Sequence, residues 1–315
     1  MLSTPWSRAM GLRVPIVNAP MGGVAGGRLA AAVTAAGGLG MVGMGSTATR
    51  ASLHTQLRHL TGKFGIGLVD WVIRNEPGLL EEALAARPVV LSVSFGADWS
   101  WVGKARDAGI ATATQVYDAL GARQAVDAGV DMLVARGAEG GGHGEVKLAT
   151  LPLLDIVLAA VAVPVLAAGG IASPRSLAAV LAAGASGAWV GTRLAACPEA
   201  LTGDAARRAL IAARETDTRI TRVFDVAAGL PWPARFPSRV LANDFVARWT
   251  GREEELAADG AARDELTAAV AADDLRIAPV DAGQGVGMIG DAAPVGEVIE
   301  QMCLGAQRLL TAWRS

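Results

Sequence analysis

A chain of 315 residues that is 52% hydrophobic and only 18% charged can bury a large core, which excludes a disordered protein. Its net charge of -2, with no basic block, argues against nucleic acid or an anionic membrane surface as partner. The two cysteines, Cys197 and Cys303, have neither metal-ligand spacing nor a disulfide framework, which fits a reducing cytoplasm.

The opening Met1-Leu2-Ser3-Thr4-Pro5-Trp6 lacks the charged-then-apolar layout of a signal segment. Pro15 to Pro20 reads as a short apolar strand that ends at Met21-Gly22-Gly23. An alanine-rich helix follows from about Arg28 to Ala36, stopped by Gly37-Gly38. Then come a strand over Leu39 to Met44, a helix over Arg50 to Leu60, a strand over Phe64 to Val69 and a helix over Glu76 to Ala86. Val89 to Phe95 is the fourth strand and Trp99 to Ala108 its helix. Ala111 to Val116 is the fifth strand, and Asp118 is placed to cap the helix that runs to Ala128.

Met132 to Ala135 is the sixth strand, and Leu153 to Val161 is helical. The seventh strand is Pro164 to Ala168. Ser173-Pro174 then starts a helix to Ala183 as a cap and first-turn pair. Ala188-Trp189-Val190 is the eighth strand. The apolar region Leu148 to Ile171 is broken by Pro152, Asp155, Pro164 and Gly169-Gly170, whereas a membrane span needs roughly 20 uninterrupted apolar residues. It reads as buried helix and strand, so no membrane is involved.

Eight strands that are continuous apolar runs, alternating with helices, predict a (β/α)8 barrel, with a doubly wound open sheet as the alternative. The barrel core spans residues 1–195, and residues 196–315 are expected to cover it as a C-terminal helical cap that also supplies the last outer helix. In that tail a helix is expected over Glu199 to Thr216, a proline-rich irregular stretch around Trp232 and Phe236, and one or two charged helices over Phe245 to Asp274. A glycine-rich loop, Ala282 to Ile289, and an amphipathic helix from Val295 to Trp313 complete it.

The sixth strand delivers Arg136-Gly137-Ala138-Glu139-Gly140-Gly141-Gly142-His143-Gly144, five glycines around one of only three histidines. Bare backbone there lets a flat ligand approach, and His143 can serve as a general base beside it. The competing reading is a flexible glycine loop with an incidental histidine. Barrel sites lie at the carboxyl ends of the strands, with phosphate often held by the loops after strands seven and eight. Gly169-Gly170 and Gly191-Thr192 occupy those two loops, and amides at a helix start add to an anion site. Pro20, Met21 and Gly22 could lie against a flat ring, and Gln115 could offer an inward amide or stand exposed at the strand mouth. A phosphate anchor, a flat ligand on bare backbone, one histidine and no metal cluster point to flavin mononucleotide (FMN), with a sugar phosphate as the alternative.

These motifs resemble the nitronate monooxygenase family, formerly the 2-nitropropane dioxygenases. Pro15-Ile16-Val17-Asn18-Ala19-Pro20-Met21-Gly22-Gly23 is similar to its opening motif, and Gly137-Ala138-Glu139-Gly140-Gly141-Gly142-His143 to its Q-G-x-E-A-G-G-H motif. Ala168-Gly169-Gly170-Ile171, Trp189-Val190-Gly191-Thr192-Arg193 and the tail segment Ala282-Gly283-Gln284-Gly285 extend the likeness over nearly the whole chain. The resemblance implies an FMN-dependent oxidoreductase that uses dioxygen to convert alkyl nitronates or nitroalkanes into a carbonyl compound and nitrite, with His143 as catalytic base. It implies cofactor contacts from Pro20, Met21, Gly22, Gln115, Gly141, Gly169, Gly170, Gly191, Thr192 and Gln284, no metal, and a homodimer as one possible assembly.

The chain departs from the pattern at Arg136 for Gln, Gly140 for Ala, Gly67 for Asn, and Gly144 directly after the histidine. Arg136 could face an anionic ring or substrate, or pair with Glu139 or Glu145. FMN-dependent NAD(P)H reductases of quinones or enoyl-thioesters share the opening and histidine motifs, so a reductase is the rival activity. A non-catalytic flavin-binding protein is the reading from another class.

Overall fold

Each strand divides its side chains between two destinations. The computed structural model describes residues 2–312. Its strands are β1 (Ile16–Asn18), β2 (Gly40–Gly43), β3 (Phe64–Val69), β4 (Val90–Ser94), β5 (Ala111–Val116), β6 (Met132–Arg136), β7 (Gly142–His143), β8 (Val165–Ala168), β9 (Gly187–Val190), β10 (Thr218–Thr221) and β11 (Ser238–Leu241). Val17, Met41, Val90, Ala113, Met132, Val134, Leu166, Ala168 and Trp189 pack together inside the sheet. Ile16, Val42, Ile66, Leu91, Leu133, Val165, Ala167 and Ala188 pack outward with helical residues such as Leu29, Leu153 and Leu177. Both faces are therefore apolar, which is why the strands read as unbroken hydrophobic runs.

Eight strands are parallel neighbours in the order β1-β9-β8-β6-β5-β4-β3-β2. The seam between β1 and β2 is closed by the Val17–Leu39 bridge and by the buried amide of Asn18, which donates to Met41 O at 2.8 Å and accepts from Met41 N at 2.7 Å. The result is the expected (β/α)8 barrel. Trp6 and Leu12 join the inside cluster, and Thr4 Oγ1 donates to Ser186 O at 2.6 Å, so the N-terminal segment covers the amino end of the strands. The carboxyl end is left to the loops.

The expected caps form. Asp118 accepts from Gly121 N at 2.7 Å, and Ser173 and Ser176 cap each other's backbone at the start of the helix Pro174–Ala182. The helix Val295–Ala312 packs against Pro174–Ala182 and Gly27–Ala35, burying Val298, Ile299, Met302 and Ala306. Trp313, expected to end that helix, lies outside the described residues. Both cysteines are free, and burial pushes each thiol up to about 12, so neither is a ready nucleophile. No helix among the described residues is long and apolar enough to cross a membrane.

The structure differs from the sequence reading in several places, among them three further helices, Pro5–Ala9, Thr192–Ala195 and Val223–Ala228. A helix, Asp70–Asn75, follows β3 without a loop, ahead of the expected one, which is shortened to Leu79–Ala85. The helix expected from Leu153 begins at Thr150, with Pro152 in the first turn, where no intrahelical N–H bond is lost. The helix over Glu199 to Thr216 is confined to Asp204–Ala212. Residues 245–274 hold three helices, Asp244–Trp249, Glu253–Ala258 and Gly260–Ala271, because Gly251 takes a positive φ and Asp259 an extended one. The tail also contributes the strands β10 and β11, which pair antiparallel with each other, and β11 pairs with β7.

Candidate active site

The loop after β6 is held by complete accounting of its carbonyls. Gly137 O accepts from Gly140 N at 3.0 Å, and Glu139 O from Gln284 N at 2.9 Å. Ala138 O accepts from Arg239 Nη2 at 2.8 Å. The carbonyls of Gly140, Gly141 and Gly142 accept from Arg136 Nη2 at 3.0, 3.1 and 2.9 Å. Glu139 turns its carboxylate to the backbone N–H of Thr150 at 2.9 Å and to the Thr150 hydroxyl. The tail loop lies directly on this run: a side chain at Gly141 would place its Cβ 2.6 Å from Gly283 N. The glycine-rich stretch is therefore an ordered wall rather than a free loop.

At the end of that wall β7 pairs Gly142 and His143 with Arg239 and Ser238 of β11, and Gly144 N donates to Pro237 O at 3.2 Å. This pairing fixes where the imidazole of His143 projects. Its Nε2 lies 3.0 Å from both carboxylate oxygens of Asp225, a buried residue of the helix Val223–Ala228. A carboxylate only accepts, so this contact puts a proton on Nε2, and in the neutral ring it selects the tautomer whose lone pair is on Nδ1. No described group bonds Nδ1. The ring lies flat on Trp232, with centroids 3.6 Å apart and planes within 6°. Trp232 Nε1 donates to Ser46 Oγ at 3.0 Å, and Trp71 and Phe95 meet the indole edge-on at 5.7 and 5.1 Å. Phe95 holds a φ of 72° at the end of β4, a strained conformation for an aromatic residue that turns it toward this cluster.

A second carboxylate stands close by. Asp281 accepts from Ser238 Oγ at 2.8 Å and flanks Gly142. Its side chain meets open space yet is ringed by protein. That surrounding raises its carboxyl pKa, with His143 opposing the rise and Asp225 adding to it.

Around the same rim the loops after β8 and β9 expose backbone. Among the described residues nothing accepts from the amide N–H of Gly169, Gly170 or Gly191. Gly169 and Gly170 have φ of 111° and 66°, conformations that glycine adopts without strain. Gly169 is packed closely, since a Cβ there would lie 2.7 Å from Thr150 Oγ1, but there is room at the other two: a Cβ at Gly170 would meet nothing nearer than Glu139 Cβ at 3.4 Å, and one at Gly191 nothing nearer than Met21 Sδ at 3.6 Å. Thr192 Oγ1 accepts from Gly283 N at 2.9 Å, which leaves its hydroxyl hydrogen to donate. The helix start contributes less than its sequence suggested, because the amides of Ala172 and Ser173 already donate to Ser176 Oγ at 3.1 and 3.0 Å.

The structure gathers the expected residues on one rim. Pro20, Met21 and Gly22 follow β1, with Met21 beside Gly191. Gln115, half-buried, stands in register with the inward-facing Ala113, and its Oε1 accepts from the Tyr117 hydroxyl at 3.2 Å. Gln284 is exposed, and the contact seen is its backbone bond to Glu139. Gly67 is explained by packing: a Cβ there would lie 2.2 Å from Pro20 Cγ, so an asparagine does not fit beneath this proline. Neither ion pair considered for Arg136 forms, since Glu139 is engaged by Thr150 and Glu145 by Lys147 at 2.6 Å. Asp225 and Trp232 were missed as partners of His143, and the only sequence signal was a tryptophan between two prolines. No cluster of three or more potential metal ligands occurs among the described residues.

A closed (β/α)8 barrel with a carboxylate-paired histidine and bare amides at its carboxyl rim has the layout of a small-molecule enzyme. The sequence model of the nitronate monooxygenase family, an oxidoreductase family, matches residues 4–69 and 75–305, and the chain belongs to that family. A nitronate monooxygenase of Pseudomonas aeruginosa is 31% identical over 329 aligned residues, covering 80% of this chain and 94% of the relative. A (3aS,4S,5R,7aS)-5-hydroxy-7a-methyl-1-oxo-octahydro-1H-indene-4-carboxyl-CoA dehydrogenase of Rhodococcus jostii is 34% identical over 259 residues, covering 78% of this chain and 67% of the relative. The structure of FabK from Thermotoga maritima superposes with a TM-score of 0.86 at 26% identity, covering 100% of this chain and 99% of that one.

Proposed function

We propose that this chain is an FMN-dependent nitronate monooxygenase, converting alkyl nitronates or nitroalkanes and dioxygen to a carbonyl compound and nitrite. The observation that carries the reading is His143: a single imidazole on bare backbone, its tautomer set by buried Asp225 and its plane set by Trp232. Family membership supplies the reaction class.

The rim fits the cofactor. The free amides of Gly169, Gly170 and Gly191 and the Thr192 hydroxyl would hold the phosphate of FMN. Pro20, Met21, Gly22, Gln115, Gly141 and Gln284 would border its ring. The bound flavin supplies the redox chemistry between substrate and dioxygen.

The chain's own residues handle the proton. With Nε2–H bound to Asp225, Nδ1 accepts the α-proton of a neutral nitroalkane, and Asp225 stabilises the imidazolium that results. A nitronate arrives already deprotonated, so His143 then orients it and balances its charge. Trp232, Phe95 and Phe236 exclude water from this side of the ring. The test is nitrite release coupled to oxygen uptake. His143→Ala is expected to retain flavin and lose about 10²–10⁴-fold in turnover on nitroethane, with a smaller loss on its nitronate. Equal turnover of wild type and variant on nitroethane would remove His143 from the reaction.

A second reading is an FMN-dependent NAD(P)H reductase of quinones or enoyl-thioesters, and the dehydrogenase name of the Rhodococcus jostii relative supports a reaction other than nitronate oxidation. Flavin reduction by NAD(P)H, without any nitronate, would favour it.

A further inference from the structure

Arg136 ends β6, is buried, and has no carboxylate at ion-pair distance among the described residues. A guanidinium in that position is usually matched by a carboxylate; here its Nη2 donates to the three successive carbonyls of Gly140, Gly141 and Gly142. Two hydrogens serve three acceptors, so at least one bond is shared, and each is strengthened by the donor's charge. Glycine loses more chain entropy on ordering than any other residue, so three in a row would not hold a direction unaided. The β7–β11 pairing reaches only Gly142 and His143.

The space for the guanidinium is made by absent side chains. A Cβ at Gly144 would lie 2.1 Å from Arg136 Nη1 and 2.3 Å from Cζ, and one at Gly140 would lie 3.0 Å from Nε. The three departures from the family motif at 136, 140 and 144 are thus one steric unit, an arginine with the two glycines that admit it.

We propose that Arg136 is a positioning residue for His143. From the space left by Gly140 and Gly144 it fixes the peptides of 140–142, and so aims the imidazole at Asp225 and Trp232. Its effect on turnover rests on the proposed role of His143, but its effect on the ring does not.

The test reads the ring directly. Long-range 1H–15N NMR resolves the tautomers of the three histidines, with His143 assigned by its loss in His143→Asn. The wild type should show the Nε2–H form at His143. Arg136→Ala should show mixed tautomers, with kcat down about 10- to 100-fold and KM within about threefold. Arg136→Lys should recover part of both. Gly144→Ala should reproduce Arg136→Ala, and the double variant should be no worse than Arg136→Ala alone. Should Arg136→Ala not fold, Arg136→Lys and Gly144→Ala carry the same readouts. A wild-type tautomer in these variants, or additive losses in the double variant, would overturn the proposal. A changed tautomer with unchanged kcat would uphold it and count against His143 in turnover.

Discussion

The imidazole of His143 lies on the indole of Trp232 with 3.6 Å between ring centres and 6° between planes. Trp232 belongs to the tail, as does Asp225, which holds the Nε2 edge of the same ring at 3.0 Å. The barrel provides the histidine, and the tail sets its plane through Trp232 and accepts its Nε2–H through Asp225. A site divided in this way depends on the tail staying docked, and β11 docks it by pairing with β7.

Asp225→Asn removes the acceptor that fixes the tautomer. An amide can present oxygen or NH2 to Nε2, so Nδ1 is no longer held as the base. Turnover on a nitroalkane should fall about 10²–10⁴-fold with little change in KM or in bound flavin. Steady-state kinetics with oxygen uptake check it, and a kcat within twofold of wild type would contradict the assignment.

Trp232→Ala removes a buried indole that meets His143, Phe95 and Trp71 and bonds Ser46. Emptying such a site costs about 3–5 kcal/mol, whereas Trp232→Phe, which keeps a ring, should cost about half as much or less. Urea unfolding of the two variants separates them, and equal losses would mean that the stack adds nothing.

Gly170 sits at φ 66° beside Glu139, with open room above it. Gly170→Ala should cost about 1 kcal/mol from backbone strain and retain flavin. Gly170→Glu places a carboxylate where the phosphate is proposed to bind, and the purified protein should be colourless. A yellow Gly170→Glu protein would show that the phosphate binds elsewhere.

Asp70 is buried at the start of the helix after β3, where it pairs with Arg74 at 2.7 Å. Burial raises its carboxyl above the ordinary 3.8, with Arg74 opposing and Asp98 adding. The folded chain therefore keeps this proton to higher pH than the unfolded chain does. The group's stabilising contribution is present below 3.8 and is lost as pH rises through the raised value. Asp70→Asn should flatten that loss, so the variant should gain on wild type between pH 4 and pH 7 in urea titrations. A variant that loses ground over that interval would contradict the direction.

The barrel was legible because strands covered on both faces carry long apolar runs, and because Asp118 and Ser173 announce the helices they cap. The candidate site was read from stretches of bare backbone after β1, after β8 and β9, and around His143, and the fold brings these to the carboxyl end of the barrel. What binds the histidine was not legible. Asp225 is 82 residues away, and β10 and β11 are four-residue strands, one with an exposed Arg219 and the other with a buried Arg239, that gain meaning only when β11 pairs with β10 on one side and β7 on the other. Asp70–Asn75 was missed because it follows β3 with no loop between them. Arg136 looked like an electrostatic residue, and only its contacts reveal three backbone carbonyls as its partners.

Anaerobic reduction of the purified yellow protein, followed by absorbance in two parallel mixtures, tests the account most directly. One mixture receives ethyl nitronate and the other NADH with NADPH. The account predicts loss of the oxidised flavin band with the nitronate and none with the nicotinamides, and a nitronate response that depends on the alkyl chain. Rapid bleaching by a nicotinamide, with the nitronate inert, would contradict it and make this family member a reductase.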